Sequence, residues 1–189
     1  MAKPRTNMQG ISTLLVDGDH YLRSIVAQIL RAFGAETPTM ADNGGEAMRW
    51  LTHNCFDMCI MEAVLPDMHC TDLIRWIRRR DSQAVKFTPV IVLTGYTQPK
   101  MIAAARDAGA NGMVKKPVAP RVLWEHIVGI GRSARPFIEA GDYAGPDRRF
   151  KDEGPIDGFG RRSGDAEKTQ AAAAAAAASP TAENEVVSQ

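Results

Sequence analysis

Two sets of residues in this chain could do chemistry. The first is a pattern that occurs twice: Arg148-Arg149-Phe150-Lys151-Asp152 reads R-R-x-x-D, and Arg161-Arg162-Ser163-Gly164-Asp165 repeats it thirteen positions later. Each copy follows a glycine-rich turn signal, Gly145-Pro146-Asp147 and Gly158-Phe159-Gly160, and glycine lets a backbone approach a ligand closely. Arginine forks grip phosphates and bond the O6/N7 edge of guanine, while a carboxylate accepts from the donors on the opposite edge. A twice-repeated arginine and carboxylate unit therefore suits an anionic ligand carrying guanine, above all one with two-fold symmetry; the alternative is a solvated, disordered charged tail. The second set is Asp17, Asp19, Glu62, Thr94 and Lys116, acidic groups, a hydroxyl and a lysine.

The second set depends on the elements that carry it. Ser12–Val16 is an apolar run ending in Asp17-Gly18-Asp19, and Tyr21–Phe33 follows with apolar residues at helical spacing until Gly34. Glu36–Met40 reads as a second strand, and Asn43 as the cap of a helix through Leu51. Met58–Met61 is wholly apolar, as a central parallel strand should be, and ends at Glu62. A helix over Asp72–Arg80 ends in three arginines that suit a C-terminal dipole. Then come a strand Pro89–Leu93 ending at Thr94, a helix Lys100–Ala108 stopped by Gly109, a strand Gly112–Val114 leading to Lys116-Pro117, and a last helix from Pro120. Strands alternating with helices imply a doubly wound α/β sheet whose sites lie at the carboxyl ends of the strands. That topology brings Asp17, Asp19, Glu62, Thr94 and Lys116 together.

The pieces LLVDGDHYLRSIV, FDMCIMEAVLPDM, VIVLTGY and AGANGMVKKPV resemble a response-regulator receiver domain over residues 12–131. The resemblance implies a flavodoxin-like fold of five parallel strands in the order 2-1-3-4-5. Thr94 and Lys116-Pro117 match the family's hydroxyl, lysine and Lys-Pro bond. Three positions depart: Glu62 stands where receivers carry a phosphoacceptor aspartate, Gly18 where they carry the second carboxylate of an acidic pair that holds magnesium, and Met113 where they carry a switch aromatic. Magnesium asks for near-octahedral oxygen ligation, so neither magnesium nor phosphotransfer is expected. Glu62 is one methylene longer than aspartate and suits a standing pair with Lys116. Such a pair either imitates part of the phosphorylated charge or neutralises a retired pocket.

The whole chain resembles the CheY-like cyclic-di-GMP effectors, the Cle family, in which a receiver carries an arginine-rich extension. The residues that carry this are Arg135, Tyr143, Asp147, Arg148 and Arg149, with Asp152, and then Arg161, Arg162 and Asp165. The resemblance implies cyclic-di-GMP as ligand, commonly an intercalated dimer, and docking on a FliM-like flagellar motor switch protein to modulate motility and surface attachment. It implies no catalysis, a cytoplasmic protein and recruitment to the flagellated pole. The alternative is a phosphorylation-controlled single-domain chemotaxis regulator whose tail is a linker. Residues 132–165 are then the ligand-binding extension, largely irregular for lack of hydrophobic periodicity, and 166–189 an Ala-rich disordered tail.

Composition narrows the rest. Net charge is +1 over 189 residues. From 132 to 165 the seven cations are cancelled by Glu139, Asp142, Asp147, Asp152, Glu153, Asp157 and Asp165, so no DNA or RNA partner is expected. No apolar run reaches the roughly 20 residues of a membrane span, and the polar N-terminus has no signal-like apolar segment. The odd count of three cysteines and the scattered His20, His53, His69 and His126 suggest neither disulfides nor a metal site.

Overall fold

The computed structural model describes residues 7–95, 98–132, 137–140 and 143–147. β1 (Thr13–Val16), β3 (Met58–Glu62) and β4 (Val90–Thr94) are the apolar runs, and their side chains are almost wholly buried because both faces of the sheet are covered. β2 (Thr39–Ala41) and β5 (Gly112–Lys115) flank them, giving the parallel order β2-β1-β3-β4-β5. β2 begins three residues after the expected Glu36. Pro38 has no N–H to give a ladder, and pairing with β1 starts with Thr39 opposite Leu14.

Strand residues alternate between two cores. Leu14, Val16, Cys59, Met61 and Val92 face α2 (Gly44–His53), α3 (Cys70–Arg78) and α5 (Pro99–Ala108). Leu15, Ile60, Ile91 and Leu93 face α1 (His20–Ala32) and α6 (Pro120–Arg132), where they meet Val26, Leu30, Leu123 and Ile127. Asn43 caps α2 by accepting from the Glu46 N–H at 2.8 Å, and Gly109 ends α5 in a left-handed turn with φ +108°. α3 starts and stops two residues before its expected bounds, and a short helix α4 (Gln83–Lys86) follows it.

Within the stretch that reads as largely irregular, β6 (Phe137–Ala140) and β7 (Tyr143–Pro146) form an antiparallel hairpin in the same compact unit as the sheet. Strands of four residues show no readable alternation, and a hairpin in isolation is marginal; this one is held by distant partners. The Phe137 ring meets Phe87 with centroids 4.6 Å apart, and Glu139 pairs with Lys86. Gly145, which reads as a turn glycine, lies in β7, where a Cβ would come within 2.9 Å of Gly109 Cα. Its bareness lets two stretches of backbone meet rather than admitting a ligand.

Candidate functional site

Four of the five residues expected at the strand ends come together. Lys116, just past β5, places Nζ 2.8 Å from Asp17 Oδ2 and in direct ion contact with Glu62 Oε2. Its N–H donates to the Thr94 carbonyl at 2.8 Å, and the Lys116–Pro117 bond is cis. Asp17 and Thr94 are buried, and Arg23 of α1 donates to the Asp17 carbonyl while pairing with Asp42 at 2.5 Å. Lys116 is thus neutralised by two carboxylates at once, a closed arrangement in a part-buried site where ion pairs are little screened.

Asp19 does not join them. Its Oδ1 accepts from the Tyr21 and Leu22 N–H groups at 2.8 and 3.2 Å, capping α1, and its own N–H donates to Asp17 Oδ1 at 2.8 Å. Displaced by one residue from the second acidic position, its carboxylate serves the exposed N–H groups of the helix start.

The loop after β3 packs against Gly18 beside this pocket, which sequence reasoning missed. A Cβ at residue 18 would sit 2.6 Å from Pro66 Cγ, so the proline ring occupies the space a side chain there would need. Next to it, Asp67 accepts from the Gly44 and Gly45 N–H groups, 2.8 Å each, and Met68 packs where a Cβ of Gly44 would go. Slight burial raises the Asp67 carboxyl, but the N–H groups of Gly44, Gly45, Asp67 and Met68 outweigh it and hold it below the usual 3.8. The signal was present as Gly18 and Gly44-Gly45 facing Pro66-Asp67-Met68. Magnesium does not fit these residues: Asp17 is engaged by Lys116, Asp19 by a helix end, and residue 18 has no room for a carboxylate. Among the described residues no cluster of His, Cys, Asp or Glu is arranged to hold a metal.

At the opposite end of β4 and β5, Arg78 is a second surprise. It reads as a dipole-facing surface cation, yet it is 2% exposed. Its guanidinium donates to the carbonyls of Lys86, Thr88 and Gly109 and to Asn111 Oδ1, at 2.7–3.2 Å, and lies 5.2 Å from the Phe137 ring centroid. Burial pulls its pKa down to about 10, so it stays charged near neutral pH. Arg78 ties α3, α4, the α5–β5 turn and the hairpin into one joint.

Of the expected extension residues, Tyr143 and Asp147 fall within the described chain. Tyr143 is half-buried in β7 and its Oη donates to the Pro146 carbonyl at 2.6 Å; Asp147 directly follows that strand. Arg135, Arg148, Arg149, Asp152, Arg161, Arg162, Asp165 and the tail 166–189 lie outside the described residues. Cys59 and Cys70 are buried thiols pushed up to about 12 and about 11 by desolvation, poor nucleophiles at neutral pH. Among the described residues no helix is long and apolar enough to cross a membrane.

The family description "Response regulator receiver domain" matches residues 13–128. The chemotaxis protein CheY of Pseudomonas aeruginosa is 33% identical over 114 residues, 60% of this chain and 90% of that protein. The chemotaxis protein CheY-3 of Vibrio cholerae is 30% identical over 119 residues, 63% of this chain and 90% of that protein. Among solved structures, the chemotaxis response regulator CheY4 of Vibrio cholerae superposes with a TM-score of 0.58 at 28% identity, covering 64% of this chain and 98% of that one. The family match ends before β6, so the hairpin and everything after it are additions to what is shared.

Proposed function

This chain belongs to the response regulator receiver family, and from that premise we propose that it is a non-enzymatic signalling effector whose input has moved from the receiver pocket to the C-terminal extension. In this reading Arg135, Tyr143, Asp147, Arg148, Arg149, Asp152, Arg161, Arg162 and Asp165 bind cyclic-di-GMP, and the liganded protein docks on the flagellar motor switch to modulate motility and surface attachment. It works in the cytoplasm, recruited to the flagellated pole. The observation that carries the reading is the closed pocket: Lys116 is held by both Glu62 and Asp17, and Pro66 fills the space beside Gly18. A receiver sealed in this way needs another signal, and the paired R-R-x-x-D units supply charge-assisted forks suited to a guanine dinucleotide.

Equilibrium titration of the full chain with cyclic-di-GMP tests this. Arg149→Ala and Arg162→Ala each remove a fork and should weaken binding by about 1.5–3 kcal/mol. Truncation after Asp147 keeps the compact unit intact and should abolish most of the affinity. Absence of binding by the full chain, or binding indifferent to both substitutions, overturns the assignment.

A second reading is a phosphorylation-controlled chemotaxis regulator with the tail as linker, and the names of the relatives favour it. It requires phosphoryl transfer to the pocket, which intact-mass measurement after incubation with an acyl phosphate decides.

A further inference from the structure

We infer that the cleft between the hairpin and α6 is a seat for one guanine base of the dinucleotide, so that the receiver fold itself supplies part of the ligand site. This rests on the cyclic-di-GMP reading above and adds residues to it that lie outside the extension.

The cleft encloses about 420 Å³, within the roughly 300–1,000 Å³ typical of small-molecule sites. Phe137 and Pro146 of the hairpin form one wall, with Phe87 beside them, giving flat apolar surface for a ring. Polar groups converge from the other elements. Asn111 accepts through Oδ1 from the Val90 N–H at 2.9 Å and from Arg78 at 3.1 Å. That fixes the amide, and no described residue takes its Nδ2 donor, which is left for the cleft that Asn111 lines. Glu125 on the α6 side holds one carboxylate oxygen on Arg121 Nε at 2.9 Å, leaving the other oxygen to accept. His126 adds a third aromatic ring, with no hydrogen-bond partner among the described residues.

Aromatic walls with one fixed amide donor and one carboxylate match guanine. Its O6/N7 edge accepts, as from Asn111, while its N1–H and N2–H edge donates to a carboxylate. Adenine lacks that paired donor edge. The placement also agrees with the chain path, because Tyr143 and Asp147, both expected ligand contacts, stand on and directly after the strand that ends in Pro146. Arg78, by orienting Asn111 and lying under Phe137, acts as a positioning residue for the cleft.

The test is titration of the full chain with cyclic-di-GMP and cyclic-di-AMP, comparing wild type with Glu125→Gln and Gly129→Leu. Gly129 lines the cleft, and nothing lies within 4 Å of where its Cβ would be, so a side chain can leave the helix there, and leucine improves helix propensity. The Glu125–Arg121 pair is solvent-exposed and adds little stability, so both variants should melt close to the wild-type temperature. Each should weaken cyclic-di-GMP binding about tenfold, as expected for a lost charge-assisted hydrogen bond or an obstructed seat, and Glu125→Gln should also narrow the preference over cyclic-di-AMP. Wild-type binding with either variant within twofold of it overturns the base seat and leaves the extension reading standing. No binding by wild type overturns both.

Discussion

Gly18→Asp returns the second carboxylate of the acidic pair, but the structure predicts that it damages the protein before it helps. The new Cβ would stand 2.6 Å from Pro66 Cγ and 3.0 Å from Cδ. A proline ring cannot swing aside, since it is closed on its own backbone, so relief requires the loop to move. That loop is tied at several points: Leu65 N–H to Met68 O and Cys70 N–H to Ala63 O, both 3.0 Å, and Asp67 to Gly44 and Gly45 at 2.8 Å each. Overpacking at such a site costs about 1–3 kcal/mol. Urea unfolding should show Gly18→Asp destabilised by that amount, and adding Pro66→Ala should recover most of it. The same variants carry the functional consequence. Neither wild type nor Glu62→Asp alone should gain a phosphoryl group from an acyl phosphate with magnesium. The triple change Glu62→Asp, Gly18→Asp and Pro66→Ala is the first expected to do so by intact mass. A fully stable Gly18→Asp with Pro66 in place would refute the steric argument. A stable phosphoryl adduct on wild type or on Glu62→Asp alone would refute the closed pocket.

Arg78→Met keeps side-chain volume but strips donors from the buried carbonyls of Lys86, Thr88 and Gly109; it should cost at least about 3 kcal/mol by denaturant unfolding, and a loss below about 1 kcal/mol would mean the joint is not structural. Gly145→Ala sets a Cβ 2.9 Å from Gly109 Cα and 2.6 Å from Tyr143 Oη; amide exchange across β6 and β7 should speed up while the central strands stay protected, and unchanged hairpin protection would count against the close approach. The Asp67 carboxyl is held below 3.8, so its contribution is fully present above the unfolded value and fades as pH falls through the folded one. Carbon-detected NMR titration should place its midpoint below 3.8, and Asp67→Asn should flatten that acid limb; a midpoint at or above 3.8 sinks the loop anchor.

Much of the sheet was legible because its rules are local. Met58–Met61 is apolar at every position, which only a strand covered on both faces tolerates, and Val26 and Leu30 sit four apart on one helix face. Asn43 and Gly109 mark helix ends by residue type alone. The pairing of Glu62 with Lys116 was also legible, because both stand at carboxyl ends of strands in one parallel sheet, on either side of the end of β4. β2 was placed three residues early because the missing N–H of Pro38, a local rule, was not weighed. The hairpin went unread since Phe137 and Glu139 find their partners at Phe87 and Lys86, some fifty residues earlier.

Arg78 and Gly18 failed in a more instructive way, because each admitted a sufficient local explanation. An arginine in the last turn of α3 satisfies the helix dipole, and nothing in the neighbouring residues announces that three carbonyls from α4, the α4–β4 turn and the α5–β5 turn converge on it. Backbone acceptors leave no mark in a sequence. Gly18 was read as a ligand lost, which accounts for the absent carboxylate but not for why glycine, rather than another residue, replaced it. The Pro66 ring answers that question: with the ring seated there, any side chain collides. The absent carboxylate at 18 and the seat of the Pro66 ring therefore go together. Restoring acids alone is therefore not expected to reopen the pocket, and the triple change tests this.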